Sequence, residues 1–188
     1  MKIFLVFSML FFSFLTIKAN ELSVSSPDGK ITMNVKLTDR VYYNLEVDGK
    51  EVMWFSPLSM STNKGVFGEN PVLKDRETTS VDEVINTVWG IRSEVPDVYN
   101  ELKLDFEGGY NLLFRAYNDG VAYRFQSELD GELIVYDEEV EYRFWEDYPM
   151  INHIVDSYTT SYEKLYTRQN ITDISTSNLI SLPSVIDQ

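Results

Sequence analysis

LLFRAYNDGVAYRF, residues 112 to 125, decides the fold. Leu112, Phe114 and Ala116 alternate with Leu113, Arg115 and Tyr117, and Val121, Tyr123 and Phe125 alternate with Ala122 and Arg124. A two-residue period sends successive side chains to opposite faces, so each arm is a strand with one strongly apolar face. Asn118-Asp119-Gly120 is the turn between them, because Asn and Gly accept the positive φ that short hairpin connections demand. The stretch is a β-hairpin whose two arginines, Arg115 and Arg124, share the less apolar face. There they pair with acidic neighbours and serve the structure.

The same period recurs on both sides. Upstream, Leu102, Leu104 and Phe106 alternate with Glu101, Lys103 and Asp105 and stop at Gly108-Gly109. Near the start, Leu22 and Val24 precede a Pro27-Asp28-Gly29 turn. Ile31, Met33, Val35 and Leu37 then alternate with Thr32, Asn34 and Lys36. Thr38-Asp39-Arg40 turns the chain into Tyr43, Leu45 and Val47, and Asp48-Gly49 turns it again into Val52 and Trp54, giving an antiparallel meander. Ser59 to Ser80, rich in Ser, Thr, Asn, Gly, Pro and charge, reads as a long irregular loop with at most one short strand. Val81 to Trp89 is again a strand, and Gly90 to Val98 a connector holding Pro96. Downstream, Glu132 to Tyr136 and then Val140, Tyr142 and Phe144 supply two more strands. Turn signals at roughly ten-residue spacing make this an all-β sandwich.

The tail from Glu146 is different. Tyr158, Tyr162 and Tyr166 stand four residues apart, as on one helix face, but Thr159 and Thr160 suit strand or loop, and loop and strand is the reading adopted. Ile180 to Ile186 forms a last apolar strand around Pro183, running out with no turn behind it, as at a cut boundary.

The chain has 188 residues, enough for one ordinary domain with its own core. Residues 1 to 19 have the build of a secretory signal peptide: Lys2, an apolar run from Ile3 to Ile17, and a plausible cut after Lys18-Ala19. That run is shorter than the ~20 residues a membrane span needs. With no cysteine anywhere, neither a lipoprotein anchor nor disulfide staples enter. Residues 20 to 188 are then an exported, periplasmic domain that rests on its core. A formal charge of −14 argues against nucleic acid or an anionic membrane surface as partner, and a neutral sugar or a cation fits better. Aromatic residues make up 14% of the chain, and in an all-β protein most of these fill the space between sheets.

Arg115 to Phe125, taken with Ser26-Pro27-Asp28-Gly29-Lys30, Ser56-Pro57-Leu58, Val88-Trp89-Gly90 and Tyr162-Glu163 in that order, resembles the N-terminal domain of glycoside hydrolase family 97, the α-glucosidases and α-galactosidases of Bacteroidetes. The resemblance spans roughly residues 21 to 187. It implies a β-supersandwich similar to the sugar mutarotases, which in the whole enzyme packs on a catalytic (β/α)₈ barrel, walls the sugar pocket and lends a calcium ligand. The residue that matches this ligand is Glu163. Hydrolysis of terminal α-glucosides or α-galactosides needs two carboxylates across the scissile bond, and in the resembled family both lie in the barrel. Nothing in this chain matches the barrel, so the chain alone is expected to be inactive, with a neutral oligosaccharide and the barrel domain as its partners.

The remaining candidates read as structure. Asp137, Glu138, Glu139 and Glu141 lack calcium-loop spacing, and alternation places Glu139 and Glu141 on the wet face of a strand edge. His153 is the only histidine, and no nucleophile or metal motif surrounds it. A mutarotase-like enzyme would need it in a pocket beside a carboxylate. Trp54 and Trp89 sit in strand-like contexts and are expected in the core, whereas Trp145, beside Glu146 and Asp147, is expected at the surface. A stand-alone sugar-binding module would need such aromatics exposed. Asn170-Ile171-Thr172 has the form of a glycosylation triplet, which means little in a bacterial-looking exported chain.

Overall fold

The computed structural model describes residues 22–188. The signal-peptide reading lies outside them. The strands are β1 (Leu22–Ser25), β2 (Ile31–Leu37), β3 (Val41–Val47), β4 (Lys50–Thr62), β5 (Gly65–Phe67), β6 (Leu73–Asn86), β7 (Glu94–Phe106), β8 (Tyr110–Tyr117), β9 (Gly120–Ser127), β10 (Val135–Val140), β11 (Pro149–Val155), β12 (Thr167–Asn170) and β13 (Leu179–Ile186). Among the described residues the one helical element is a 3₁₀ turn at Ile171–Asp173.

Three antiparallel sheets result. Six strands form the first, in the order β1-β2-β3-β4-β10 with β5 also on β4. Four form the second, β6-β7-β8-β9, and three the last, β12-β11-β13. The quoted hairpin is β8 and β9, in register from Tyr110↔Ser127 to Tyr117↔Gly120. Its two-residue loop, Asn118-Asp119, is built without positive φ at Asn118, Asp119 or Gly120, contrary to the sequence expectation. Asp48 and Gly49 do adopt positive φ (50° and 73°) and make the tight β3–β4 turn that the sequence indicates.

The first two sheets pack face to face. Met33, Val41, Tyr43, Met53, Leu58 and Phe67 from the six-stranded sheet meet Leu102, Leu104, Phe106, Leu112, Phe114 and Ala116 from the four-stranded sheet, all buried. They come from β2 to β5 on one side and from the alternating positions of β7 and β8 on the other. Burying each such side chain contributes about 1.5–3 kcal/mol, which is how a chain without disulfides holds together. The two signature turns also touch: the Asp28 backbone N–H donates to Asn118 Oδ1 at 3.0 Å, and Ser26 Oγ donates to Asp28 Oδ1 at 2.7 Å.

One aromatic stack clasps the sheets. The Tyr110 ring lies between Phe67 (centroids 4.6 Å apart) and Phe106 (5.0 Å), nearly parallel to both. Its hydroxyl oxygen accepts the Gly68 N–H at 3.0 Å. Gly68 has φ of +88°, and a Cβ there would fall 2.5 Å from the Leu58 carbonyl oxygen. Only glycine fits where the chain passes so close to β4.

Two segments depart from expectation. Ser59 to Ser80 is not a long loop: β4 continues to Thr62, β5 folds back on it, and β6 starts at Leu73. Ladder hydrogen bonds come from the backbone, and the Ser and Thr side chains follow β4 as it pairs with β10. Gly90 to Val98 is not only a connector, since β7 begins at Glu94 and pairs Pro96 with Val84. A proline is tolerated there because β7 has a neighbour on one side only until Tyr99.

Asp147 ties the third sheet together. It accepts hydrogen bonds from the Thr172 hydroxyl (2.6 Å), the Thr172 N–H (3.0 Å) and Asn170 Nδ2 (3.3 Å). Asn170-Ile171-Thr172 is thus the clasp at the end of β12. The bonds from Thr172 hold the Asp147 carboxyl below the usual carboxylate range.

Tyr110→Phe is expected to cost about 1–3 kcal/mol by orphaning the buried Gly68 N–H, and Gly68→Ala to cost more, both read from urea unfolding. Because its folded pKa is depressed, Asp147 stabilises the fold fully above the ordinary carboxylate value near 4, and that contribution disappears as pH falls through the folded value. Asp147→Ala should therefore melt lower at neutral pH and lose less stability on acidification than the parent, checked by thermal melts across pH 7 to 2.

Candidate functional site

The third sheet carries the sequence-picked site residue. Beyond β11, residues 156 to 166 form a loop without regular structure, as the tail's composition indicates. Tyr162 sits at φ of +58°, a left-handed conformation that bulky residues rarely take, and its N–H donates to Thr160 Oγ1 at 3.3 Å. This bend leaves Glu163 exposed. Its neighbour Lys164 pairs with Asp156 at 2.5 Å, fastening the loop end to end, while Glu163 has no hydrogen bond or ion pair among the described residues.

His153 lies beneath this loop. It is 2% exposed, with Nδ1 2.8 Å from Ser181 Oγ on β13 and its ring 5.3 Å from that of Tyr166 and 6.1 Å from that of Tyr162. Its one side-chain hydrogen-bond partner is that hydroxyl, not a carboxylate. Nε2 makes no hydrogen bond among the described residues, and neither does Asn152 Nδ2 next to it. Gln169 Nε2 and Ser184 Oγ on the flanking strands are in the same state. Buried polar atoms are ordinarily paired; Asp105 Oδ1 and Asn111 Oδ1 in the sandwich are unpaired too, but the third sheet holds four of the six such atoms among the described residues.

The arginines are where the hairpin puts them. Arg115 Nε donates to Glu101 Oε2 at 2.6 Å, and its guanidinium lies 4.2 Å from the Tyr99 ring centroid. Glu101 and Arg115 face each other across β7 and β8, and the bond from Arg115 to Glu101 raises its pKa. Arg124 stands on the same face, opposite Leu113. The acidic run lies on β10, the edge of the six-stranded sheet. Glu139 is half-buried there, bonded to Ser59 (2.8 Å) and Arg40, Glu138 accepts the Tyr123 hydroxyl at 3.0 Å, and Glu141 pairs with Arg143 at 2.7 Å.

The tryptophans depart from expectation. Trp54 is 45% exposed, because it points away from the core on β4, and it stacks on Trp145 with centroids 4.9 Å apart. Trp145 is exposed as expected, with its Nε1 donating to Glu51 Oε2 at 3.1 Å. Trp89 is 89% exposed at the tip of the β6–β7 hairpin. Alternation says that two faces differ, but not that either is covered. An apolar groove of about 720 Å³ lies between the first and third sheets, lined by Tyr43, Met53, Phe144, Ile151 and Val185 among others, with Gln188 Nε2 bonded to the Val52 carbonyl at its edge.

Among the described residues no three His, Asp or Glu side chains are placed to share a metal ion. Calcium takes about six to eight oxygen ligands, so Glu163 can supply one of a set and not a site. The free, exposed carboxylate fits that part.

Comparison with known proteins agrees with this geometry. Residues 24–188 match the family model for the N-terminal region of glycosyl hydrolase 97. A retaining alpha-galactosidase of Bacteroides thetaiotaomicron is 33% identical over 177 residues, covering 89% of this chain and 27% of that protein. The chain thus spans about a quarter of the length of this relative. A glycoside hydrolase family 97 enzyme from Pseudoalteromonas sp. strain K8, solved in complex with acarbose, superposes with a TM-score of 0.73 at 20% identity, over 87% of this chain and 26% of that one. A beta-arabinopyranosidase superposes at 0.67 with 27% identity, over 77% and 26%. An all-β antiparallel supersandwich, with the signature hairpin at its core and a family match along almost its whole described length, makes this chain a member of the glycosyl hydrolase 97 N-terminal family.

Proposed function

We propose that the chain works as the N-terminal, non-catalytic domain of an exported α-glycosidase: it packs on a (β/α)₈ catalytic domain, walls one side of the sugar pocket and contributes Glu163 to a shared calcium site. The observation that supports this best is the unpaired, exposed Glu163 on a loop fastened by Asp156–Lys164, in a domain whose relative is nearly four times longer. Calcium, when bound, would supply a Lewis-acidic charge beside the sugar. The chain's own residues present one carboxylate on the loop, whose Tyr162 and Tyr166 rings lie 6.1 and 5.3 Å from the buried His153 ring beneath it.

A second reading rests on the stacked, exposed Trp54 and Trp145, whose outer faces suit a neutral sugar ring. On that reading the domain binds an oligosaccharide by itself.

The intact mass of the product in its native cells separates the two. A mass several-fold above that of the 188-residue chain supports the enzyme-domain reading, and a mass equal to residues 20 to 188 supports the sugar-binding module. The calcium part is checked separately. The isolated domain should show no calcium-dependent rise in melting temperature, because one carboxylate does not make a site. In the full-length enzyme Glu163→Gln should weaken calcium affinity by about tenfold or more, measured by titration of the metal-free protein. Tight calcium binding by the isolated domain, or unchanged affinity in the variant, would overturn the shared site.

A further inference from the structure

Strands β6 and β7 pair from Leu73↔Phe106 to Asn86↔Glu94, but β8 accompanies β7 only over Tyr99–Phe106. The pairs from Asp82↔Val98 to Asn86↔Glu94 therefore stand beyond the sheet as a two-stranded ribbon of about 17 Å. Such a ribbon is marginally stable in water without something packed on it. Its tip is closed by the Thr87 N–H, which donates to the Ser93 carbonyl at 2.9 Å. That tip carries Val88, Trp89 and Ile91 at 98%, 89% and 106% exposure, and Val84 and Ile85 below it are more than half open or at the half. No other stretch of the described chain exposes so much apolar side chain in so few residues.

The charges on the ribbon are nearly all of one sign. Glu83 and Asp97 are paired directly across the two strands, so two carboxylates share one face, a destabilising arrangement. Asp82 and Glu94 add acid on the opposite face, and Arg92 is the one cation between Asp82 and Val98. An apolar tip over an acidic stem is complementary to an apolar recess bordered by Lys or Arg. A second copy of this chain does not offer that, since it presents the same acids and a net charge of −14. The chain covers 27% of its alpha-galactosidase relative, and the other three quarters are large enough to hold the recess.

We infer that the β6–β7 ribbon is the docking arm of this domain, its tip of Val88, Trp89 and Ile91 seated in an apolar, basic-rimmed recess of the catalytic domain. This rests on the enzyme-domain reading and names the surface that makes the contact. An aromatic anchor with flanking aliphatics filling a recess is the usual centre of an interface, and the acidic stem sets its orientation.

The test uses the native product expressed from its own gene, with a photo-crosslinking benzoylphenylalanine at position 89 and, as control, at position 119 on the far hairpin. Illumination is expected to join position 89 to residues beyond 188, mapped by mass spectrometry, with no such product from position 119. Crosslinks from position 89 to a second copy, or equal products from both positions, would overturn the arm. Val88→Ser, Trp89→Ser and Ile91→Ser together should leave the melting of the isolated domain unchanged, because these side chains are exposed, and should split the melt of the full-length protein into two transitions. A single unchanged full-length transition would overturn the arm too. A native product no longer than residues 20 to 188 would overturn the enzyme-domain reading itself, and that outcome is seen in the mass before any crosslink is made.

Discussion

The fold depends on the close approach of two sheets at Tyr110. Its ring fills the space between Phe67 and Phe106, and its hydroxyl satisfies the N–H of Gly68, a residue pressed so near β4 that no side chain fits. Apolar burial supplies the bulk of the stability, but it does not choose one arrangement of two apolar faces over another. The stack and the hydrogen bond at Tyr110 do so, because a shifted sheet would leave a buried donor unpaired. The Asp28–Asn118 contact fixes the opposite corner, so that residues far apart in the chain hold the sandwich in one register.

The sandwich leaves two buried polar atoms unpaired, Asp105 Oδ1 and Asn111 Oδ1, and the third sheet leaves more. In the third sheet His153, Asn152, Gln169 and Ser184 each keep a buried polar atom without an intramolecular partner, and the Glu163 loop runs over it with a left-handed Tyr162 at its bend. Strained backbone and unpaired polar groups are the marks of a surface shaped for something other than its own stability. The β6–β7 ribbon is the same case in apolar form. The sandwich thus carries two features, the exposed Glu163 loop and the apolar ribbon tip, that its own packing does not account for.

The hairpin, the meander, the turn at Asp48-Gly49 and the all-β class were legible in the sequence because strand alternation is a local property with a fixed period of two. The stretch from Ser59 to Ser80 was not. Its polar residues lie in β4 and β5, which pair with each other and, for β4, with the distant β10, and in β6, which pairs with the next strand β7; such backbone pairing leaves little trace in side-chain chemistry. Trp54 and Trp89 were misplaced for a related reason: Trp54 sits in a strand as expected but on the outer face of β4, and Trp89 lies in the turn beyond the end of β6, so no described residue buries either. Glu163 was reached through its resemblance to a family motif, and no local signal in the loop distinguishes it from any other exposed glutamate.

The sequence by itself determined the class of the fold, its family and the positions of its core, since each follows from the order and period of side chains along a strand. Only the tertiary structure decided which faces meet, where β4, β6 and β10 find their neighbours, and which aromatic residues are left in the open. Those depend on contacts between residues far apart in the chain, and a hydrophobic pattern records that a face is apolar without recording what lies against it.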